Sequence, residues 1–141
     1  MDDPDQGLDW LITDFNVRVA DVAHAIVVSA DGIPLAVSDT IRPDSVPKLC
    51  AITAGLVGLA DGAARMFDGG MVTQALVQMD GGFMLVRAIG GGSHLAVMVN
   101  PDCDMEVVVS EMGMLAEAVG HALNAAPRRA AAVPEKWQVK G

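Results

Sequence analysis

Phe83-Met84-Leu85-Val86-Arg87-Ala88-Ile89 is the stretch that decides the fold. It opens with four consecutive apolar side chains. In an extended strand successive side chains point to opposite faces. Phe83 and Leu85 therefore face one way, Met84 and Val86 the other. A strand that is apolar on both faces needs cover on both. The run is bracketed by Asp80-Gly81-Gly82 and Gly90-Gly91-Gly92-Ser93, which read as tight turns. Beyond them, Val72 to Met79 and His94 to Asn100 are also strand-like. Short glycine turns between such runs predict antiparallel hairpins.

Upstream, Pro43-Asp44-Ser45-Val46-Pro47 opens a long helix, with Asp44 or Ser45 placed to cap the free backbone N–H groups. Pro47 is tolerated there because first-turn N–H groups have no partner within the helix. The helix is expected to run to Met66 or Phe67, where Asp68-Gly69-Gly70 stops it. His24 to Ser29, rich in β-branched residues, reads as a strand. The turn Ala30-Asp31-Gly32 carries it into a second strand, Ile33 to Ser38. Leu8, Leu11, Ile12 and Phe15 recur at helical spacing over about residues 7–18. Met105, Val108, Val109, Met112, Leu115, Ala116, Val119, Ala122 and Leu123 form the apolar face of a last helix.

The order is thus α-β-β-α-β-β-β-α, an α+β chain. A three-layer arrangement follows, with the long helix on one face of the sheet and the two terminal helices on the other. A single domain over residues 7–125 is expected, between a flexible N-terminus (1–6) and a flexible tail (126–141).

Ala51, Gly55, Gly58 and Gly62 lie 4, 3 and 4 residues apart, so they line one side of the long helix. A helical Gly costs about 1 kcal/mol relative to Ala, so three cost about 3 kcal/mol. Close approach of another backbone would offset that, either the domain's own sheet or a symmetry-related helix. Ile52, Leu56, Leu59, Ala63 and Met66 add a neighbouring apolar face. The two faces together offer more to bury than one sheet face requires, and a self-complementary dimer satisfies this better than purely internal packing.

Composition narrows the partners. The 141 residues are 52 % hydrophobic, which excludes wholesale disorder. The formal net charge is −9. Arg128, Arg129, Lys136 and Lys140 against Glu135 make residues 128–141 net positive by three, leaving −12 on the rest. An acidic body repels phosphate backbones, which argues against nucleic acid. The longest apolar stretch, Leu49 to Ala60, is short of the ~20 residues of a membrane span. The acidic start Met1-Asp2-Asp3-Pro4-Asp5 is unlike a signal peptide. A cytoplasmic protein is expected, reaching a membrane only if a partner carries it there. Cys50 and Cys103 read as free buried thiols.

Catalytic constellations are not evident. Gly90-Gly91-Gly92-Ser93 lacks the Lys of a phosphate-binding loop and precedes a strand, where that loop precedes a helix. No GxSxG surrounds any serine. His24 and His94 each open a predicted strand, a placement that allows them to be close in space. No HxxxH or His–Cys spacing supplies further ligands for a metal. No catalytic residue, cofactor site or metal site is assigned. Met84, Met98, Met105 and Met112 read as core, and Met66, Met71 and Met79 as surface.

The chain resembles the roadblock/LC7 family, particularly single-domain members from high-GC Gram-positive bacteria. The resemblance is carried by Leu8-Asp9-Trp10-Leu11, by His24-Ala25-Ile26-Val27-Val28-Ser29-Ala30-Asp31-Gly32, and by Ala51-Ile52-Thr53-Ala54-Gly55-Leu56 through Gly69-Gly70. It continues in Asp80-Gly81-Gly82-Phe83, Leu95-Ala96-Val97-Met98 and Glu111-Met112. The ordered set over about residues 8–124 is what is specific; no single motif is.

The resemblance implies a five-stranded antiparallel sheet between helices. It also implies a homodimer built on the central helix and third strand, which adds Val72 and Gln74 to the interface of Ala51, Gly55, Gly58, Leu59 and Gly62. Partnership with a small Ras-like GTPase is implied too. Similar proteins sit in operons that also encode a sensor-kinase-like membrane protein, and the family brings no catalytic residues. On the exposed central helix, Lys48 and Arg65 are the expected partner contacts; Arg65 also suits a helix C-terminus. The alternative is a ligand-sensing domain of PAS or profilin-like architecture. Such a domain needs a cavity with convergent polar groups, and the apolar runs offer only Thr73, Gln74, Gln78 and Arg87.

Overall fold

A computed structural model describes residues 4–130, with side chains over 7–124. Among the described residues there are three α-helices and five strands, in the order α1 (Pro4–Arg18), β1 (Val22–Val28), β2 (Pro34–Val37), α2 (Val46–Met66), β3 (Gln74–Met79), β4 (Gly82–Ala88), β5 (His94–Val99) and α3 (Met105–Ala130). The sheet order is β2-β1-β5-β4-β3 and every neighbouring pair is antiparallel. This is the expected α-β-β-α-β-β-β-α plan. The terminal helices reach further than the expected bounds of 7 and 125. Pro4 suits a first helical turn, and the alanines around Ala122-Leu123-Asn124-Ala125-Ala126 favour helix. The rest of the two expected end segments, 1–3 and 131–141, lies outside the described residues.

The run Phe83 to Val86 behaves as its alternation requires. Leu85 faces a core shared with Leu8, Ile12 and Phe15 of α1 and with Val108, Met112, Leu115 and Val119 of α3. Met84 and Val86 face the other side, with Ile26, Val28, Ala96, Ile41 and Cys50. β1 and β5 divide in the same way, Ala25, Val27, Leu95 and Val97 on the first side. Arg18 ties α1 to α3, its Nη1 donating to Glu111 Oε2 at 2.7 Å while Nε reaches Asp14 Oδ2 at 3.3 Å.

Two glycine-rich stops work differently from one another. Gly82 opens β4 with φ +149°, where any Cβ would collide with the Val99 carbonyl. At the end of α2 the first left-handed residue is Asp68, φ +54°, two residues ahead of Gly70 at φ +78°. Gly69 N–H then reaches back to the Ala64 carbonyl at 2.7 Å, the six-residue closure that satisfies a helix C-terminus.

The start of α2 departs from expectation. Neither Asp44 nor Ser45 caps it with a side chain. A 3-10 turn, Pro43–Ser45, leads straight in, so Ser45 already has helical dihedrals (φ −87°, ψ −15°) and is not in the extended geometry a cap needs. Asp44 pairs instead with Arg42 at 3.3 Å. The stretch Pro43–Met66 is also, by length and composition alone, apolar enough to cross a membrane. The length limit read from the shorter segment Leu49 to Ala60 therefore does not hold for the whole helix. One face of the helix is nonetheless taken up by the sheet, through Val46, Leu49, Cys50, Leu56 and Val57.

Candidate interaction surface

α2 lies on its sheet face by one narrow side. Only Cys50 and Thr53 are fully buried along its 21 residues. Thr53 fits there because its Oγ1–H donates to the Leu49 carbonyl at 2.9 Å. The opposite side is open. A methyl group added at Gly55, Gly58 or Gly62 would meet nothing within 4 Å. Of the two offsets offered for these glycines, packing on the domain's own sheet is therefore excluded. Beside them Leu59 is 78 % exposed and Met66 76 %. Ile52 is half exposed and Ala51 exposed.

The open face continues past the helix. Phe67 is 77 % and Met71 87 % exposed. β3 follows as an edge strand with Gln74, Leu76, Gln78 and Met79 exposed. Helix α3 crosses over β4, where a Cβ added at Gly113 would lie 3.6 Å from the Arg87 guanidinium, and it leaves Leu76 of β3 about half exposed. Val72 is corrected in position. It precedes β3, is half-buried, and lines a cleft with Val57 and Ile89. The strand starts later than expected because Thr73 pairs only through its carbonyl, which accepts from Ala88 N–H at 2.9 Å.

Lys48 and Arg65 are both exposed, but the helix does not bring them together. They are 17 residues apart, about 25 Å at 1.5 Å per residue. Among the described residues neither has a carboxylate within salt-bridge distance.

His24 and His94 are also apart. β1 and β5 run antiparallel, with His24 opposite Met98 and His94 opposite Val28, so the two rings lie at opposite ends of the strand pair. Opening a strand puts two residues together only when the strands are parallel. Among the described residues no three His, Cys, Asp or Glu side chains gather as metal ligands would.

Two hollows flank α2 that the apolar runs did not disclose, because each is lined by segments distant in sequence. The first, about 430 Å³, is the cleft at Val72, and it holds Ser29, Asp61 and His94 beside the glycine turn Gly90–Gly92. Burial holds the His94 imidazole below its ordinary value; nearby Asp61 and the Gly92 backbone pull the other way. The second, about 390 Å³, lies at the start of α2. Buried thiols are as expected for Cys50, whose pKa burial raises, while Cys103 is half-buried.

The Roadblock/LC7 domain profile matches residues 8–99. A Roadblock/LC7 domain from Streptomyces avermitilis is 34 % identical, over 82 % of this chain and 96 % of that one, with a TM-score of 0.77. Two more distant structures share the fold. MglB of Myxococcus xanthus is 13 % identical, with 84 % and 96 % coverage and a TM-score of 0.76. An MglB with a tetrameric arrangement is 14 % identical, with 89 % and 94 % coverage and a TM-score of 0.80. Comparison with curated proteins gave no match.

Proposed function

Because the chain belongs to the roadblock/LC7 family, we propose that it is a non-catalytic cytoplasmic adaptor that homodimerises through α2 and β3 and regulates a small Ras-like GTPase. The observation that carries this reading is the unfinished outer face of α2. Its glycines touch nothing, and Leu59, Met66, Phe67 and Met71 stand in solvent. A contiguous apolar patch of this kind marks an interaction surface. Its small-residue stripe lets two backbones approach, and a two-fold axis makes one patch serve both partners. An MglB has been solved in a tetrameric arrangement, so this fold enters assemblies in at least that protein.

A dimer would display Lys48 and Arg65 twice, along the length of its paired helices. A partner GTPase that fits this surface better in one nucleotide state would be shifted toward that state. The sensor-kinase-like membrane protein implied by the family resemblance is a second partner, one that would bring the complex to a membrane.

Two measurements test the proposal. Sedimentation at micromolar concentration should give a dimer; a monomer overturns it. Calorimetric titration with a Ras-like GTPase of the native host, loaded with GDP or a GTP analogue, should show unequal affinities. Lys48→Glu or Arg65→Glu should weaken binding and leave the dimer intact. Equal affinities would reduce the protein to a passive scaffold. The purified protein should release no phosphate from GTP alone. One observation favours a ligand sensor: the cleft at Asp61 and His94 has the size of a small-molecule site. Native mass spectrometry finding a bound metabolite, with no GTPase binding, would decide for it.

A further inference from the structure

The second hollow has the composition of a recognition groove. Ile41, Leu49 and Met98, buried or half-buried, form its apolar lining, and the exposed cations Arg42 and Lys48 stand at its mouth. His24 completes that mouth and is held in place from inside the protein. Buried Ser38 accepts the Ala25 N–H on its Oγ at 3.0 Å. Its own proton then needs an acceptor, and Thr40 Oγ1 lies 2.9 Å away. Thr40 in turn is 2.8 Å from His24 Nδ1. Run from Ser38 outward, this chain satisfies every donor and leaves the neutral imidazole with its proton on Nε2. Run the other way, it would strand the Ser38 hydroxyl proton in a buried position. His24 therefore offers the groove a fixed N–H donor.

The charge here opposes that of the molecule. The chain carries 18 carboxylate side chains against 9 Lys and Arg. Yet two cations and an oriented imidazole converge on one apolar hollow. The nearby acids are Asp39, next to Thr40 in sequence, and Asp44, which pairs with Arg42 at 3.3 Å. Both members of that pair are more than two-thirds exposed. Such a pair is held weakly and can be exchanged for a competing carboxylate.

We propose that this groove binds an acidic linear segment of a protein partner, one that seats a large apolar side chain between Ile41, Leu49 and Met98. A neighbouring carboxylate of the segment meets Arg42, Lys48 and His24. This rests on the reading that the chain acts by binding proteins, but it needs no GTPase. A hollow of about 390 Å³ accepts one large side chain, not a folded domain. The recognition is an anchor plus a charge-assisted clamp.

The test is selection of a random twelve-residue peptide library on the immobilised full-length protein, followed by fluorescence polarisation of the selected peptides. Enriched peptides should share a large apolar residue within two positions of Asp or Glu. Arg42→Glu and Lys48→Glu should each weaken their binding at least tenfold, and His24→Ala several-fold, while Arg65→Glu changes nothing. All four residues lie on the surface or in the groove wall, and unchanged circular dichroism confirms that each variant folds. Absence of enrichment, enrichment without carboxylates, or binding indifferent to these substitutions would overturn the proposal. So would failure of peptides alongside tight binding of laurate, which would make the groove a lipid site. Peptide binding without any GTPase binding would leave the groove standing and remove the GTPase as its partner.

Discussion

The two faces of the sheet are built from similar residues and finished to different degrees. On the side of α1 and α3, two helices interlock over Ala25, Val27, Leu85, Leu95 and Val97, and Ile12, Phe15, Met112 and Val119 are fully sealed. On the other side a single helix covers Ile26, Val28, Met84 and Val86 by one edge. It leaves most of its own surface outside. The first face is complete within one chain. The second closes its sheet but not its helix. The difference separates residues that hold the domain together from residues available to something else.

The largest effect is expected at Phe15. It is fully buried between α1 and the sheet, so Phe15→Ala should cost about 3–5 kcal/mol. Urea unfolding reads that loss directly. Leu59→Ala, on the open helix, should leave the midpoint near wild type at concentrations where the protein is monomeric. If Leu59→Ala were as damaging as Phe15→Ala in the monomer, the two faces would not differ as described.

Gly58 sharpens the contrast. Since nothing stands near it, Gly58→Ala should stabilise the separated chain by up to about 1 kcal/mol through helix propensity. Gly58→Leu should be tolerated in the monomer but hold paired helices apart. Overpacking costs about 1–3 kcal/mol, so dimer dissociation should rise by tenfold or more in sedimentation equilibrium. Unchanged dissociation would remove the glycine stripe from the seam.

The Arg18 link between α1 and α3 should matter less. Its side chain is half exposed and its partners Asp14 and Glu111 are partly so. Arg18→Ala should cost less than about 1 kcal/mol, and the cost should shrink as salt is added. On the open side a change of slope is expected with pH. His94 is held below its ordinary value of 6.5 chiefly by burial. The unfolded chain therefore takes up this proton first, and the stability linked to His94 is present above about 6.5 and lost as pH falls through and below it. A plot of stability against pH should be flatter for His94→Gln in that range.

The sequence disclosed the layers because they follow from two simple periodicities. Four apolar residues in a row at Phe83 to Val86 required cover on both faces, and the nine apolar positions from Met105 to Leu123 drew one stripe of α3 that lies against α1 and the sheet. It also disclosed that α2 had more apolar surface than one sheet face needs. What stayed hidden depends on relations in space. Which face of α2 the glycines occupy could be drawn, but not which way that face points. That His24 and His94 lie apart needs the strand direction. The groove joins His24, the stretch from Thr40 to Ile52 and Met98, three segments distant in sequence, and its Ser38–Thr40–His24 chain leaves no periodic mark. The missing cap at Ser45 was a local signal overruled by the preceding 3-10 turn.

The two rims of the sheet have unequal fates. At one rim β2 is four residues long, begins with Pro34, and meets β1 through a register shift at Val27/Val28. Short length, proline and a bulge are features that deter a further strand from joining. At the other rim β3 is six residues long, with no proline and a regular register on β4. A sheet with one closed rim and one open rim can grow only once. Two copies joined open rim to open rim present closed rims at both ends, and no third can add. In the proposed dimer the strand that joins two copies would thus also set the limit of assembly, giving a finite object where two open rims would lead to a fibre.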